Sequence, residues 1–202
     1  MRINQIGRSM VEMLGVLAVI GMLSVGAIAE YSKVMLKYKL NKQATQYNQI
    51  LYAVYKTDDW GKISNNMVPV LKALNEIPKE LLKSNDGYVY DIFNNKISIT
   101  YNSYYMAPKL QIYLDLNETN DSMENCRNIF FILKEWHENM FVMESYGTLS
   151  GSGSQNLQVY GDQYCTNNRT CLVNLSLSKI DNLCRAQLGR EFMIQIYTAD
   201  RR

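Results

Sequence analysis

The pattern of hydrophobic and polar residues divides the chain into an apolar first segment and a longer mixed remainder. Residues Met13 to Ala29 form a run of 17 residues without a charged side chain. A helix rises by about 1.5 Å per residue, so this run is close to the shortest that crosses a bilayer. Beyond it, apolar residues recur every three or four positions as far as Lys56, with lysine and glutamine between them. The pattern therefore predicts one long helix from Ser9 to Lys56, apolar all round at first and amphipathic afterwards.

The middle of the chain predicts short strands followed by a helix. Residues 67–82 form a short helical segment broken at Pro69 and Pro78, and three alternating stretches follow at 88–93, 97–101 and 110–116. Asn94-Asn95 predicts a tight hairpin turn between the first two stretches. An amphipathic helix comes next, with Asp121 or Ser122 as its N-cap. Its predicted apolar face consists of Cys126, Ile129, Phe130, Leu133, Trp136, Met140 and Phe141.

The last part of the chain predicts a loop, a short helix and a strand. Residues 147–156, GTLSGSGSQN, have the composition of a flexible exposed loop. Ser178 opens a short helix that Gly189 closes, and residues 191–198 alternate as a final strand. The expected fold class is α+β: about four antiparallel strands cover the rear half of the long helix, with two smaller helices.

The composition supports a folded domain and argues against nucleic-acid binding. The formal net charge is +2, and the 21 Lys and Arg residues form no basic block interleaved with aromatic residues. A hydrophobic content of 47% is sufficient for a core. The sequence has no nucleophile elbow, phosphate-binding loop or metal-ligand spacing, and His137 has no catalytic companions in sequence. We therefore expect a protein that is not an enzyme and uses no cofactor or metal.

Four cysteines, Cys126, Cys165, Cys171 and Cys184, all follow the apolar run. An even number in an exported domain indicates two disulfides, for which three connectivities exist. Cys165 and Cys171 suit a small loop, whereas Cys126 and Cys184 each lie on the apolar face of a predicted helix. We therefore favour Cys126–Cys184 and Cys165–Cys171, while the other connectivities stay open. Zinc ligation is a weaker alternative because no C-x-x-C occurs.

The N-terminus carries a specific order of features. A short polar leader, MRINQI, ends at Gly7, Arg8 follows, and Glu12 lies at the N-terminal edge of the apolar run. An ionisable side chain at a membrane boundary is costly unless it is paired, so Glu12 is a functional candidate. These residues, together with the long helix, resemble the N-terminus of type IV pilins and pseudopilins. In that family the leader ends in Gly and a glutamate lies five residues after the cleavage point.

The resemblance implies a domain organisation and a function. Residues 1–7 would be a leader, 8–57 the long helix with 8–29 in the membrane or filament core, and 58–202 an α+β head whose layout looks like that of type IVb pilins. A prepilin peptidase would cut between Gly7 and Arg8 and methylate Arg8, and Glu12 would direct assembly. The expected function is a structural subunit of a pilus or pseudopilus, serving adhesion, conjugation, motility or secretion.

The same resemblance implies the partners and the location. The partners would be identical or related pilin subunits, the peptidase, the inner-membrane assembly machinery and the membrane itself, without nucleic acid. The subunit would wait in the bacterial inner membrane with its head in the periplasm, and the assembled pilus would be extracellular.

Two alternative interpretations of the N-terminus stay open. An ordinary signal peptide could be cleaved after Ala27-Ile28-Ala29, so that the mature protein would start at Glu30. A membrane-anchored or secreted periplasmic binding protein that does not polymerise would also carry such a segment. Lysines after the apolar run favour the opposite orientation under the positive-inside rule: Lys33, Lys37, Lys39 and Lys42. We give the cysteines more weight, because disulfides form on the oxidising side of the membrane.

Overall fold

The computed structural model describes residues 10–57, 66–84, 86–149 and 152–198. Its first element, α1, runs without interruption from Met10 to Lys56. No proline occurs in this range, so every internal turn keeps its backbone donor. The predicted long helix is confirmed, although Ser9 lies outside the described residues.

The chain forms two compact units, and the boundary between them falls inside α1, between Tyr38 and Lys39. We call the second unit, from Lys39 onward, the folded unit. It includes the rear of α1, whereas the sequence placed the start of the head at residue 58. The reason is burial, since one side of the rear of α1 contributes core side chains: Tyr47, Ile50, Leu51, Ala53 and Val54.

Prolines shape the segment after α1. Helix α2, Val68–Ala73, has Pro69 in its first turn, where the missing N–H removes no helical hydrogen bond. A single 3-10 turn, Lys79–Leu81, follows Pro78. These short elements confirm the predicted helical segment and its break at Pro78, whereas the predicted break at Pro69 was wrong because Pro69 lies in the first turn of α2.

The folded unit is built on a six-stranded antiparallel sheet with the spatial order β1-β2-β3-β6-β4-β5. The strands are β1 Val89–Tyr90, β2 Lys96–Asn102, β3 Ala107–Leu116, β4 Met140–Leu149, β5 Ser152–Tyr160 and β6 Arg190–Thr198. Asn94 has a φ of 68° in the β1–β2 turn, a conformation that asparagine tolerates better than most residues, so the predicted hairpin is confirmed. β6 lies between β3 and β4 and joins the two halves of the sheet.

The hairpin formed by β4 and β5 corrects two sequence expectations. The described residues of 147–156 lie in strands and not in the predicted flexible loop, because β4 continues to Leu149 and β5 starts at Ser152. Met140 and Phe141 are not on the helix face either; they begin β4. Pairing of β4 with β6 on one side and β5 on the other supplies hydrogen bonds that override the glycine-rich composition of residues 147–156.

The two remaining helices begin earlier than expected. Helix α3, Asn120–Glu135, is capped by Thr119, whose side chain accepts a hydrogen bond from the Ser122 backbone N–H. Helix α4, Leu177–Ala186, is capped in the same way by Ser176, which accepts from Lys179 N–H. The predicted caps Asp121, Ser122 and Ser178 were wrong because the residues with extended backbone, the geometry that a cap requires, are Thr119 and Ser176.

One core cluster unites these elements. The rear of α1, the buried face of α3 and alternate residues of the central strands all belong to it. Its fully buried side chains include Tyr47, Ile50, Phe130, Leu133, Ile97, Leu110, Ile112, Ile194 and Ile196. A smaller cluster of Ala107, Val142 and Tyr197 lies on the opposite face of the sheet, which we call the outer face.

Candidate functional site

The apolar segment, Met13–Ala29, is the most unusual surface of the chain. Its large apolar side chains are each more than half exposed, in every direction around the helix: Met13, Leu14, Val16, Leu17, Val19, Ile20, Met22, Leu23, Val25 and Ile28. The Ser24 hydroxyl donates to the Ile20 carbonyl at 2.8 Å, so its polar group is satisfied within the helix. Monomeric soluble proteins rarely expose such a continuous apolar surface. Among the described residues, α1 is the helix long and apolar enough to cross a membrane.

Charged groups mark both ends of this segment. Glu12 lies in the first turn of α1 with an exposed side chain, and it makes no hydrogen bond or ion pair with another described side chain. The first charged pair after the segment is Glu30 with Lys33, whose side chains lie 2.9 Å apart. Gly7 and Arg8, the expected cleavage and methylation residues, lie outside the described residues.

The glycines of the apolar segment leave flat places on its surface. Apart from the adjoining residues and backbone of α1 itself, no atom of the described residues lies within 4 Å of a Cβ built on Gly15, Gly21 or Gly26. Gly15 and Gly26 are eleven residues apart, close to three helical turns, so they share one side of the helix. Small residues at such positions allow the backbone of a neighbouring helix to approach closely.

Within the folded unit, a buried polar network that was not predicted from the sequence joins the rear of α1 to the other elements. The Gln43 side-chain amide donates to Asp91 Oδ2 at 2.8 Å and to Asn125 Oδ1 at 2.6 Å. The Asn95 side-chain amide donates to the same two oxygens. All four side chains are buried. The network therefore joins α1, the β1–β2 turn and α3 around one carboxylate.

The electrostatics of that carboxylate are unusual. Burial raises the pKa of Asp91, and the hydrogen bonds from Gln43, Asn95 and Phe93 N–H oppose that rise. Tyr47, fully buried beside Asp91, has a pKa raised well above its ordinary value by burial and by this carboxylate. Lys83 Nζ donates a hydrogen bond to the Asp91 backbone carbonyl at 3.0 Å.

Both disulfides join the cysteine pairs that the sequence analysis favoured. Cys126 in α3 is bonded to Cys184 in α4, with a Cα–Cα distance of 5.9 Å and both residues fully buried. Cys165 is bonded to Cys171, with a Cα–Cα distance of 5.4 Å. The first bond ties the two helices together, whereas the second closes a small loop after β5.

The outer face of the sheet carries a second buried acid. Glu144 accepts hydrogen bonds from Tyr146 Oη at 2.8 Å and Gln158 Nε2 at 2.9 Å. Burial, followed by interaction with this carboxylate, raises the pKa of Tyr146 and Tyr197. Tyr146 follows Glu144 on the same strand, but Gln158 comes from the neighbouring strand β5, so local sequence reasoning does not reveal the arrangement.

A cleft of about 500 Å³ opens beside Tyr146 on this face. Its walls combine aromatic and sulfur-containing side chains with charged ones: Lys96, Tyr113, Asp115, Tyr146, Glu191 and Met193. The volume lies within the range of small-molecule sites. Lys96 stacks on the Tyr88 ring with its Nζ 3.6 Å from the ring centroid.

Metal-binding side chains meet at a separate place. His137, Glu138 and Asp162 bring one imidazole nitrogen and two carboxylate oxygens within 4.8 Å of one another. The sequence shows no such spacing, because 24 positions separate Glu138 from Asp162.

Comparison with protein-family models, curated proteins and solved structures finds no match to this chain.

Proposed function

We propose that the chain is a type IV pilin-like subunit that polymerises through its N-terminal helix into a pilus or pseudopilus. The observation that carries the proposal is the composition of α1. One uninterrupted helix has a charge-free, exposed apolar segment at Met13–Ala29 and an amphipathic rear from Lys39 to Lys56, one side of which is buried. A helix with these two parts suits a subunit that is first held in lipid and later in a bundle of like helices.

In the first state, before assembly, the apolar segment lies in the lipid bilayer. The apolar segment spans about 26 Å as a helix, and Met10 to Ala29 spans about 30 Å, the thickness of a bilayer core. The backbone polar groups of a helix are satisfied internally, as lipid requires. In this state the disulfide-bonded folded unit lies in the periplasm, where such bonds persist.

A bundle of identical helices accounts for the second state. The exposed leucines, isoleucines and valines of the apolar segment would pack on neighbouring subunits, and Gly15 and Gly26 would allow close approach on one side. The hydrophobic free energy of the apolar segment changes little when the segment moves from lipid into this bundle, since both surroundings are apolar. Packing and polar contacts therefore have to decide the register.

Glu12 supplies that polar contact in our proposal. After cleavage at Gly7, the freed amine of one subunit would meet the Glu12 carboxylate of its neighbour. Leaving either charge buried without a partner would cost about 3–5 kcal/mol. The pair therefore selects the axial offset at which both charges are satisfied, and contributes more to register than to affinity.

Filament assembly in the native host tests the proposal. Glu12→Gln keeps the shape of the side chain and removes its charge, so processed subunits should remain in the membrane and sheared surface filaments should be lost. Glu30→Gln is the matched control, because Glu30 is exposed on the same helix and its neutralisation should leave filaments at wild-type levels. Equal assembly of both variants would refute the role of Glu12.

N-terminal sequencing separates the proposal from its rivals. A mature start at Arg8 supports it, and Gly7→Val should then keep the leader attached because the peptidase requires a residue without a side chain. A start at Glu30 indicates an ordinary signal peptide, and a start at Met1 indicates a permanent anchor. In the last two cases the cleft on the outer face would favour an exported binding protein.

A further inference from the structure

Two short turns of the folded unit lie side by side and present their polar side chains together. The first, His137–Asn139, connects α3 to β4, and the second, Asp162–Tyr164, follows β5. The Gly161 N–H donates to the Phe141 carbonyl at 3.1 Å. A Cβ at Gly161 would overlap the carbonyl of Met140, so only glycine permits this approach. The packing of these backbones therefore sets the separation of the two turns.

Contacts between aromatic rings also hold the two turns together. The ring of Tyr164 packs edge-on against Phe141, with ring centroids 4.6 Å apart. Phe141 in turn contacts Tyr160 with a centroid distance of 6.4 Å. Because both turns are braced by backbone and ring contacts, their side chains are positioned before any ligand arrives.

The positioned side chains are a histidine and two carboxylates. His137 Nδ1 lies 2.7 Å from Asp162 Oδ2. One ligand atom from each of His137, Glu138 and Asp162 falls within a 4.8 Å group. Side-chain exposures of 25% for His137 and 41% for Asp162 leave the group open to solvent. A metal ion can therefore reach all three donors without rearrangement of the core.

We propose that His137, Glu138 and Asp162 form a zinc-binding site with three protein ligands and water in the remaining position. Ligands at about 2.0–2.1 Å in a tetrahedral site lie roughly 3.4 Å apart, between the 2.7 Å and 4.8 Å that bound this group. Imidazole together with carboxylate favours zinc over calcium or magnesium, which take oxygen ligands. The two carboxylates balance the charge of the divalent ion.

The proposal differs in a testable way from a plain hydrogen bond between His137 and Asp162. Glu138 makes no hydrogen bond or ion pair with another described side chain. If His137 and Asp162 form only a hydrogen-bonded pair, Glu138 contributes nothing to their interaction. If the group binds zinc, Glu138 is one of the three protein ligands. Zinc would then clamp the turn before β4 to the turn after β5 and raise the thermal stability of the folded unit.

The experiment uses the full-length chain in detergent micelles, purified without a histidine tag and stripped of metal. Zinc chloride titrated in a calorimeter should bind at one site per chain. Zinc at about 100 times its Kd should raise the Tm by roughly 5–10 °C. Cobalt(II) should give a visible spectrum of nitrogen and oxygen ligands, because all four cysteines are in disulfides.

Variants decide between the two interpretations. Glu138→Gln should weaken zinc binding at least about tenfold, and Glu135→Gln, which removes the same charge from an exposed position three residues earlier, should not change it. His137→Gln keeps a donor for Asp162 but removes the imidazole, so it should abolish the cobalt spectrum. Absence of a saturable site in the wild type, or equal binding by Glu138→Gln and Glu135→Gln, would overturn the proposal.

Discussion

The two disulfides should contribute unequally to stability, and the difference follows from the lengths of the loops they close. Cys126–Cys184 spans 58 positions of the chain, whereas Cys165–Cys171 spans 6. In the chain-entropy model, closing these loops in the unfolded state stabilises the fold by about 4 and about 2 kcal/mol respectively. The buried position of Cys126 and Cys184 adds to the difference, because alanine at either site leaves a cavity.

Paired alanine variants make the comparison without creating an odd thiol. We expect Cys126→Ala with Cys184→Ala to lower the Tm by roughly 8–16 °C, and Cys165→Ala with Cys171→Ala by roughly 4–8 °C. The assay is thermal unfolding of the full-length chain in detergent, followed by near-ultraviolet circular dichroism. Trp136 is a suitable reporter, because it packs edge-on against Tyr55 and donates to Asn48. An equal or larger loss in the Cys165–Cys171 variant would refute the reasoning.

Two further predictions concern the buried acid and the close backbone approach. Burial raises the folded-state pKa of Asp91 above its unfolded value of about 3.9, so its contribution to stability should fall as pH rises through the window between the two values and then stay constant. As pH rises across that window, the Tm of the wild type should therefore fall relative to the Tm of Asp91→Asn. A Tm difference that does not change with pH would contradict a raised pKa for Asp91. Gly161→Ala should destabilise the folded unit by about 1–3 kcal/mol, because its Cβ overlaps the Met140 carbonyl. Gly15→Ala is the control in the same melting experiment, since no described atom beyond the adjoining residues and backbone of α1 lies within 4 Å of the added carbon.

The helix and hairpin predictions succeeded where the chain carries its own local signals. The long helix follows from an apolar run without proline, and the β1–β2 turn follows from Asn94-Asn95, which tolerates the left-handed conformation seen at Asn94. The final strand followed from strict alternation, and it extends over Arg190–Thr198. In each case the signal comes from residues that are close together in the sequence.

The features missed from the sequence depend on contacts between distant segments. β4 and β5 lack strong local strand signals and owe their formation to pairing with each other and with β6. The Gln43–Asp91 contact joins residues 48 positions apart, and nothing local distinguishes the buried Gln43 from the exposed Gln49 on the same helix. The group around His137 requires two turns that only the folded backbone brings together.

The central position of β6 has a consequence for the order in which the sheet can form. β1 to β3 and the β4–β5 hairpin are each made of neighbouring segments, so each can pair as soon as its own residues have left the ribosome or crossed the membrane. Until Arg190–Thr198 follows, β3 and β4 are both open edges, which are sites where strands of other chains can add.

Cys184 precedes that strand by only a few residues, so its bond to Cys126 holds α4 beside α3 while β6 enters the gap. Completion of the sheet is therefore a late, long-range step. Until the last strand arrives, the open edges of both half-sheets have to be kept away from the strands of other chains.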